Sequence, residues 1–119
     1  MNKVILTGRL TKDAEISYAS NDPTLCIAKA TLAVSRVRRK DDEDQTADFP
    51  RIVAFGKRAE FLQQFGKKGV KFDVVGRLQT GSYINDSGVT VYTTDVIIES
   101  IEFGESKAAN ELRMENNQN

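Results

Sequence analysis

Histidine and tryptophan are absent from the 119 residues, and cysteine occurs once. Without histidine the chain lacks the commonest general base and the commonest zinc ligand. A lone cysteine, Cys26, excludes an intramolecular disulfide and a Cys-rich metal site, and it favours a reducing, cytosolic setting. There is no excess of either charge, because 17 Lys and Arg balance 17 Asp and Glu. Attraction to a polyanion through bulk charge is thereby excluded, and any such attraction has to come from local patches. No apolar run approaches the length of a membrane span. The opening MNKVILTGRL has neither the apolar length nor the small-residue cleavage site of a signal peptide. The expectation is a soluble, unprocessed, cytoplasmic chain with no membrane partner. Its length suits one domain with one modest core.

What is present is a series of β-branched and aliphatic segments separated by Gly, Asn and Asp. In residues 3–10, Val4, Leu6 and Leu10 alternate with Lys3, Thr7 and Arg9, the period of a half-buried strand. Ile5 interrupts the polar face and marks a candidate partner contact. A short strand at 15–19 precedes a turn at Asn21-Asp22-Pro23. Residues 25–35 place Cys26, Ala28, Ala30, Leu32 and Val34 on one face. Residues 36–46 are charged and read as a long hairpin loop. Residues 47–55 are strand-like again. Residues 57–65 carry Ala59, Phe61, Leu62 and Phe65 at helical spacing, and Gly66 stands at the expected C-cap. Residues 70–78 alternate Phe72, Val74 and Leu78 with Lys71, Asp73 and Arg77. A turn at Asn85–Gly88 leads into a last long strand at 89–103.

Several long strands with one helix cannot form an open parallel sheet, which needs a helix for each crossover. The pattern predicts an all-β protein, a closed antiparallel barrel with the helix plugging one end. Gly8 and Gly76, in ILTGRL and DVVGRL, fit sharp bends in barrel strands. Residues 1–103 form the expected domain. GESKAANELRMENNQN, residues 104–119, has too little apolar surface to order itself and reads as a flexible tail, with a short helix near 108–114 as the alternative.

Catalysis has few routes left. Cys26 lies on an apolar strand face, where an inert thiol is expected. The run Asp41, Asp42, Glu43, Asp44 lacks the glycine and terminal glutamate of a calcium loop and reads as a solvated tip. Gly56-Lys57 and Gly66-Lys67-Lys68-Gly69 do not match a phosphate-cradling loop. No enzyme, cofactor or metal site is expected.

Binding residues are easier to find. In ADFPRIVAF, alternation puts Phe49, Arg51, Val53 and Phe55 on one face and Asp48, Pro50, Ile52 and Ala54 on the other. If Ile52 and Ala54 face the core, two aromatics project outward around an arginine, the arrangement on which single-stranded bases stack. If the aromatics form the core, Ile52 is exposed. The segment by itself leaves both readings open. Tyr83 stands near the Asn85–Gly88 turn, where loops of such barrels contact nucleic acid, or where a tyrosine packs on its own hairpin. Arg36, Arg38, Arg39 and Lys40 at the base of the long hairpin form either a basic groove edge or a self-neutralising loop.

Together NKVILTGRLTKDAEISY, ATLAVSR, DFPRIVAFGKRAEF, KKGVKFDVVGRLQTGSY and YTTDVIIESIEF resemble, in order and spacing, the bacterial single-stranded DNA-binding proteins of replication, recombination and repair. The likeness covers about residues 2–103. It implies a five-stranded oligonucleotide-binding (OB) barrel with the helix between strands three and four. It also implies a homotetramer whose first strands pair between subunits, nucleoid-associated and wrapped by DNA. The family's stacking aromatics fall on Phe49, Phe55 and Tyr83, which favours the outward reading. Arg38 takes the place of a further stacking aromatic. Arg9, Arg36, Arg51 and Lys57 are the remaining expected phosphate contacts. Family members commonly end in an acidic, hydrophobic-tipped peptide that recruits replication and repair proteins. The residues here end MENNQN, without that tip. The second reading is an oligomeric OB module that holds protein partners in a replication or restart complex.

Overall fold

The computed structural model of the chain describes residues 1–37 and 46–106. Its elements are β1 (Val4–Leu10), β2 (Glu15–Tyr18), β3 (Cys26–Ser35), β4 (Ala47–Asp48), β5 (Arg51–Phe55), α1 (Lys57–Phe65), β6 (Lys71–Ile84) and β7 (Thr90–Phe103). Arg38, Arg39, Lys40, the acidic run 41–44 and the tail from residue 107 lie outside the described residues.

The strand pairings close on themselves. β1 runs antiparallel to β6, β6 to β7, β5 to β3 and β3 back to β1, and β5 lies parallel to β7. Five strands therefore form a ring, with β2 on β3 beside β1 and the helix between the third and fourth ring strands. This is the OB-type all-β arrangement expected above.

Two glycines let the ring close. A Cβ on Gly8 would lie 2.5 Å from the Ala33 carbonyl oxygen, where β1 leaves β6 for β3. A Cβ on Gly76 would collide with the Ile97 carbonyl. At Gly76 the β6–β7 register slips: Val75 faces Ser100 and Gly76 faces Ile98, so Glu99 has no opposite residue. That bulge explains why Ile98 and Ile101, three apart, both turn towards the core.

The alternation read in the sequence fills the interior. Ala28, Leu32, Ile52, Ala54, Phe72 and Val74 are fully buried, and α1 adds Ala59 and Leu62. Burying side chains of this size stabilises by about 1.5–3 kcal/mol each for the larger ones. Phe61 binds the helix to the sheet, its ring 5.1–5.8 Å from those of Phe65, Phe72 and Phe103. Gly66 does end the helix, donating its N–H to the Leu62 carbonyl at 2.7 Å, with φ of −79° rather than left-handed. Its glycine is required by close approach, since a Cβ would run into that carbonyl and touch Ala14.

Three details differ from the expected elements. Residues 47–55 form two strands because Pro50 has no N–H to continue the ladder; its carbonyl instead accepts the Leu32 N–H at 3.0 Å. β6 does not stop at 78 but runs to Ile84, paired with β7 as a two-stranded ribbon beyond the ring. Leu78, expected inside, is consequently 44% exposed. The Asn85 side chain caps the ribbon turn, accepting the N–H groups of Ser87 and Val89 at 3.0 Å, and Gly88 takes φ +79°. No helix among the described residues is long and apolar enough to cross a membrane.

Candidate nucleic-acid interface

The orientation of β5 decides between the two readings of its sequence. Ile52 and Ala54 are fully buried, while Phe49 is 57% and Phe55 42% exposed. Arg51 is exposed between them. Four of the six phenylalanines, 61, 65, 72 and 103, cluster under the helix. The other two are Phe49 and Phe55, which have no ring partner among the described residues. Val53 shares their face but is buried, flanked in register by Lys29 on β3 and Ile97 on β7.

The outer face continues onto the ribbon. Arg51 Nε lies 3.5 Å from Asp95 Oδ1 on β7. Asp95 is opposite Gln79 on β6, and alternate residues onward are Gly81 and Tyr83. Tyr83 thus lies on the same face as Arg51. It sits within β6, paired with Val91, rather than in a loop, and is 56% exposed. Tyr92 and Ile84 are exposed on the ribbon's other face.

The basic residues divide by their partners. The Arg36 guanidinium donates to both carboxylate oxygens of Asp48, from Nε at 3.0 Å and from Nη2 at 2.6 Å. Those bonds hold the Asp48 carboxyl below the usual aspartate range. Arg9 donates to Glu105 through both terminal nitrogens, at 2.7 and 3.1 Å, and to the Gly69 carbonyl at 3.0 Å. The hydrogen bond to Glu105 raises the Arg9 pKa further. Arg9 is therefore committed where β1 meets β6, and it joins residue 105 to the ring. Lys57 begins α1, two residues beyond Phe55, after Gly56 turns the chain with φ +67°. Lys57 and Arg58 occupy the positive end of the helix dipole, where cations cost stability and an anion is favoured.

Lys12 and Lys29 escaped the sequence reading, yet both border the β5 face. They line a shallow groove of about 400 Å³ with Asp13, Glu15, Thr31 and Arg51. The available signal was Lys29 itself, the one charge in the alternating strand β3. Cys26 is buried, and burial, then the charge of Glu60, pushes its thiol pKa up. β1 pairs along one edge from Val4 to Arg9, but its second edge meets β3 only at Arg9 and Leu10. Among the described residues the rest of that edge is open, beside an Ile5 that is 73% exposed.

A five-stranded ring with an interposed helix and aromatics on its outer face defines an OB-type protein whose surface can stack flat, unpaired bases. Residues 1–104 match the model of the single-strand binding protein family, and the chain belongs to that family. It is 46% identical over 106 residues to the single-stranded DNA-binding protein of Clostridium perfringens, covering 89% of this chain and 67% of that one. It is 39% identical over 111 residues to the protein of that name from Streptococcus pneumoniae, covering 93% and 70%. Single-stranded DNA-binding protein 3 of Clostridium acetobutylicum is 42% identical over 118 residues, covering 99% and 81%.

Proposed function

We propose that this chain binds single-stranded DNA without sequence preference and without catalysis, coating exposed strands during replication, recombination and repair. The observation that carries this reading is the exposure of Phe49 and Phe55 on either side of Arg51, over a buried Ile52 and Ala54. Bases stack on aromatic faces regardless of their identity, each contributing about 1–3 kcal/mol. Tyr83 extends the stacking face onto the ribbon. Arg51, between the two phenylalanines, and Lys57, two residues beyond Phe55, are assigned as phosphate contacts, with Arg36 and Arg9, each held by a carboxylate, as supporting residues; Arg38 is assigned with them from the sequence alone. The binding domain is assigned to residues 1–103 and the tail to 104–119, of which Gly104 and Glu105 are still hydrogen-bonded to the ring through the Lys71 carbonyl and Arg9.

The open edge of β1 supports a homotetramer in which first strands pair between subunits, because an exposed edge is a template for a second strand. The cytoplasm, in association with the nucleoid, is the corresponding location. Titration of a labelled dT oligonucleotide tests the reading. Saturable binding that weakens as salt is added is expected, with a matched duplex bound much more weakly. Equal affinity for duplex and single strand contradicts it.

A further inference from the structure

The groove beside β5 sets two lysines without a carboxylate partner among the described residues, Lys12 and Lys29, next to Arg51. Arg36 is held by Asp48 and Arg9 by Glu105, both at 2.6–2.7 Å. Lys12 and Lys29, both lining the groove, form no ion pair among the described residues. Of the two acids in the groove, Asp13 is engaged by the segment just after α1. Its Oδ1 accepts the Lys68 N–H at 2.8 Å, and its Oδ2 is 4.0 Å from Lys67 Nζ. Glu15 faces Lys29 across the β2–β3 pair without closing an ion pair. Arg51 joins groove to stacking face, and its contact with Asp95, at 3.5 Å, is longer than the 2.6 Å pair of Arg36 with Asp48. In register, Lys29 faces Val53 and Ile27 faces Phe55, so Lys29 is one alternate step along the sheet from the ring of Phe55.

We propose that this groove seats a backbone phosphate of the bound single strand, on Lys12 and Lys29, and that Arg51 exchanges Asp95 for that phosphate. The inference rests on the single-strand-binding reading and adds where the backbone runs. The strand crosses from Phe55 over β3 towards the residue 11–13 loop, carried by unpaired lysines rather than by the clamped Arg9 and Arg36. Asp95 acts as an internal counterion, which weakens binding.

The test uses the whole chain and two probes, a labelled dT oligonucleotide and an abasic oligonucleotide with the same number of phosphates. The double variant Lys12→Ala/Lys29→Ala is expected to lose roughly tenfold in affinity for both probes. Its log–log salt slope is expected to fall by about 0.7 for each phosphate contact removed. Asp95→Asn, which frees Arg51, is expected to bind dT more tightly, by roughly twofold or more. Phe55→Ala is expected to weaken dT binding but leave the abasic probe unaffected, separating base contacts from phosphate contacts. Thermal melting of each variant accompanies the titrations, and all four substituted side chains lie away from the buried core cluster. The proposal is overturned if the lysine variant melts like the parent and keeps the parent's affinity and slope. It is equally overturned if Asp95→Asn weakens binding. In either case parental dT binding leaves the function itself standing, whereas a parent that does not bind dT removes both.

Discussion

Phe49 and Phe55, partly exposed, forgo a share of the about 1.5–3 kcal/mol that full burial of such a side chain contributes. The pleat alternates side chains, so burying Ile52 and Ala54 turns Phe55 outward, and no helix or loop of the described residues covers it. The sequence alone admitted either orientation, because Ile and Phe are comparably apolar. In the fold the interior is taken by Ile52 and Ala54 together with Phe72 and Leu32, all fully buried. Asp48 shows the opposite economy, a surface acid spent on one arginine. Its pKa is depressed first by hydrogen bonding to Arg36. Folding with the pair formed therefore gains stability above the ordinary carboxylate range, and that gain is lost as pH falls through the depressed value. A ¹³C titration of the Asp48 carboxyl should show a midpoint below the ordinary aspartate value, rising in Arg36→Ala; an unchanged midpoint in that variant removes the pairing. Burial pushes the Cys26 thiol the other way. The native protein should resist alkylation at neutral pH and react only once unfolded, as mass spectrometry would show. Prompt modification of the folded chain contradicts the buried assignment.

At the scale of elements, strands with clean alternation were legible: β1, β3 and the first half of β6 lie where period two put them, and α1 spans the predicted residues. The break at Pro50 and the ribbon were not legible for physical reasons. A proline interrupts pairing without changing hydrophobic period, and a two-stranded ribbon exposes both faces, so its alternation carries no burial signal. That is why Tyr83 read as a loop residue. The glycines at bends were legible as positions but not as contacts. Gly76→Ala should destabilise the domain by at least about 1 kcal/mol, since the new Cβ meets the Ile97 carbonyl where β7 is bulged. Denaturant unfolding measures this. A neutral result means that the bulge relaxes freely and that Gly76 is not what bends β6.

At the scale of the whole molecule, a net charge of zero shifts the balance from bulk attraction to placed groups. Arg9 and Arg36 are clamped by acids, whereas Lys12 and Lys29, beside the stacking face, form no ion pair among the described residues. The partner edge follows the same logic: β1 leaves Val4 to Gly8 unpaired on one side, with Ile5 beside it. Native mass measurement at micromolar concentration should give a tetramer, and Ile5→Asp should yield smaller species at the same concentration. A monomeric parent chain would remove the role given to that edge. Assembly multiplies the stacking faces available to one strand and raises avidity without new chemistry.

The proposed function turns on Phe49 and Phe55, outward on and just before β5, stacking bases. Its most direct test is the affinity of Phe55→Ala for a dT oligonucleotide, measured beside its thermal stability. Binding weakened by about 1–3 kcal/mol with little change in melting is expected. A variant that melts far below the parent yet binds dT normally when folded would contradict it, placing Phe55 in the core and the DNA elsewhere.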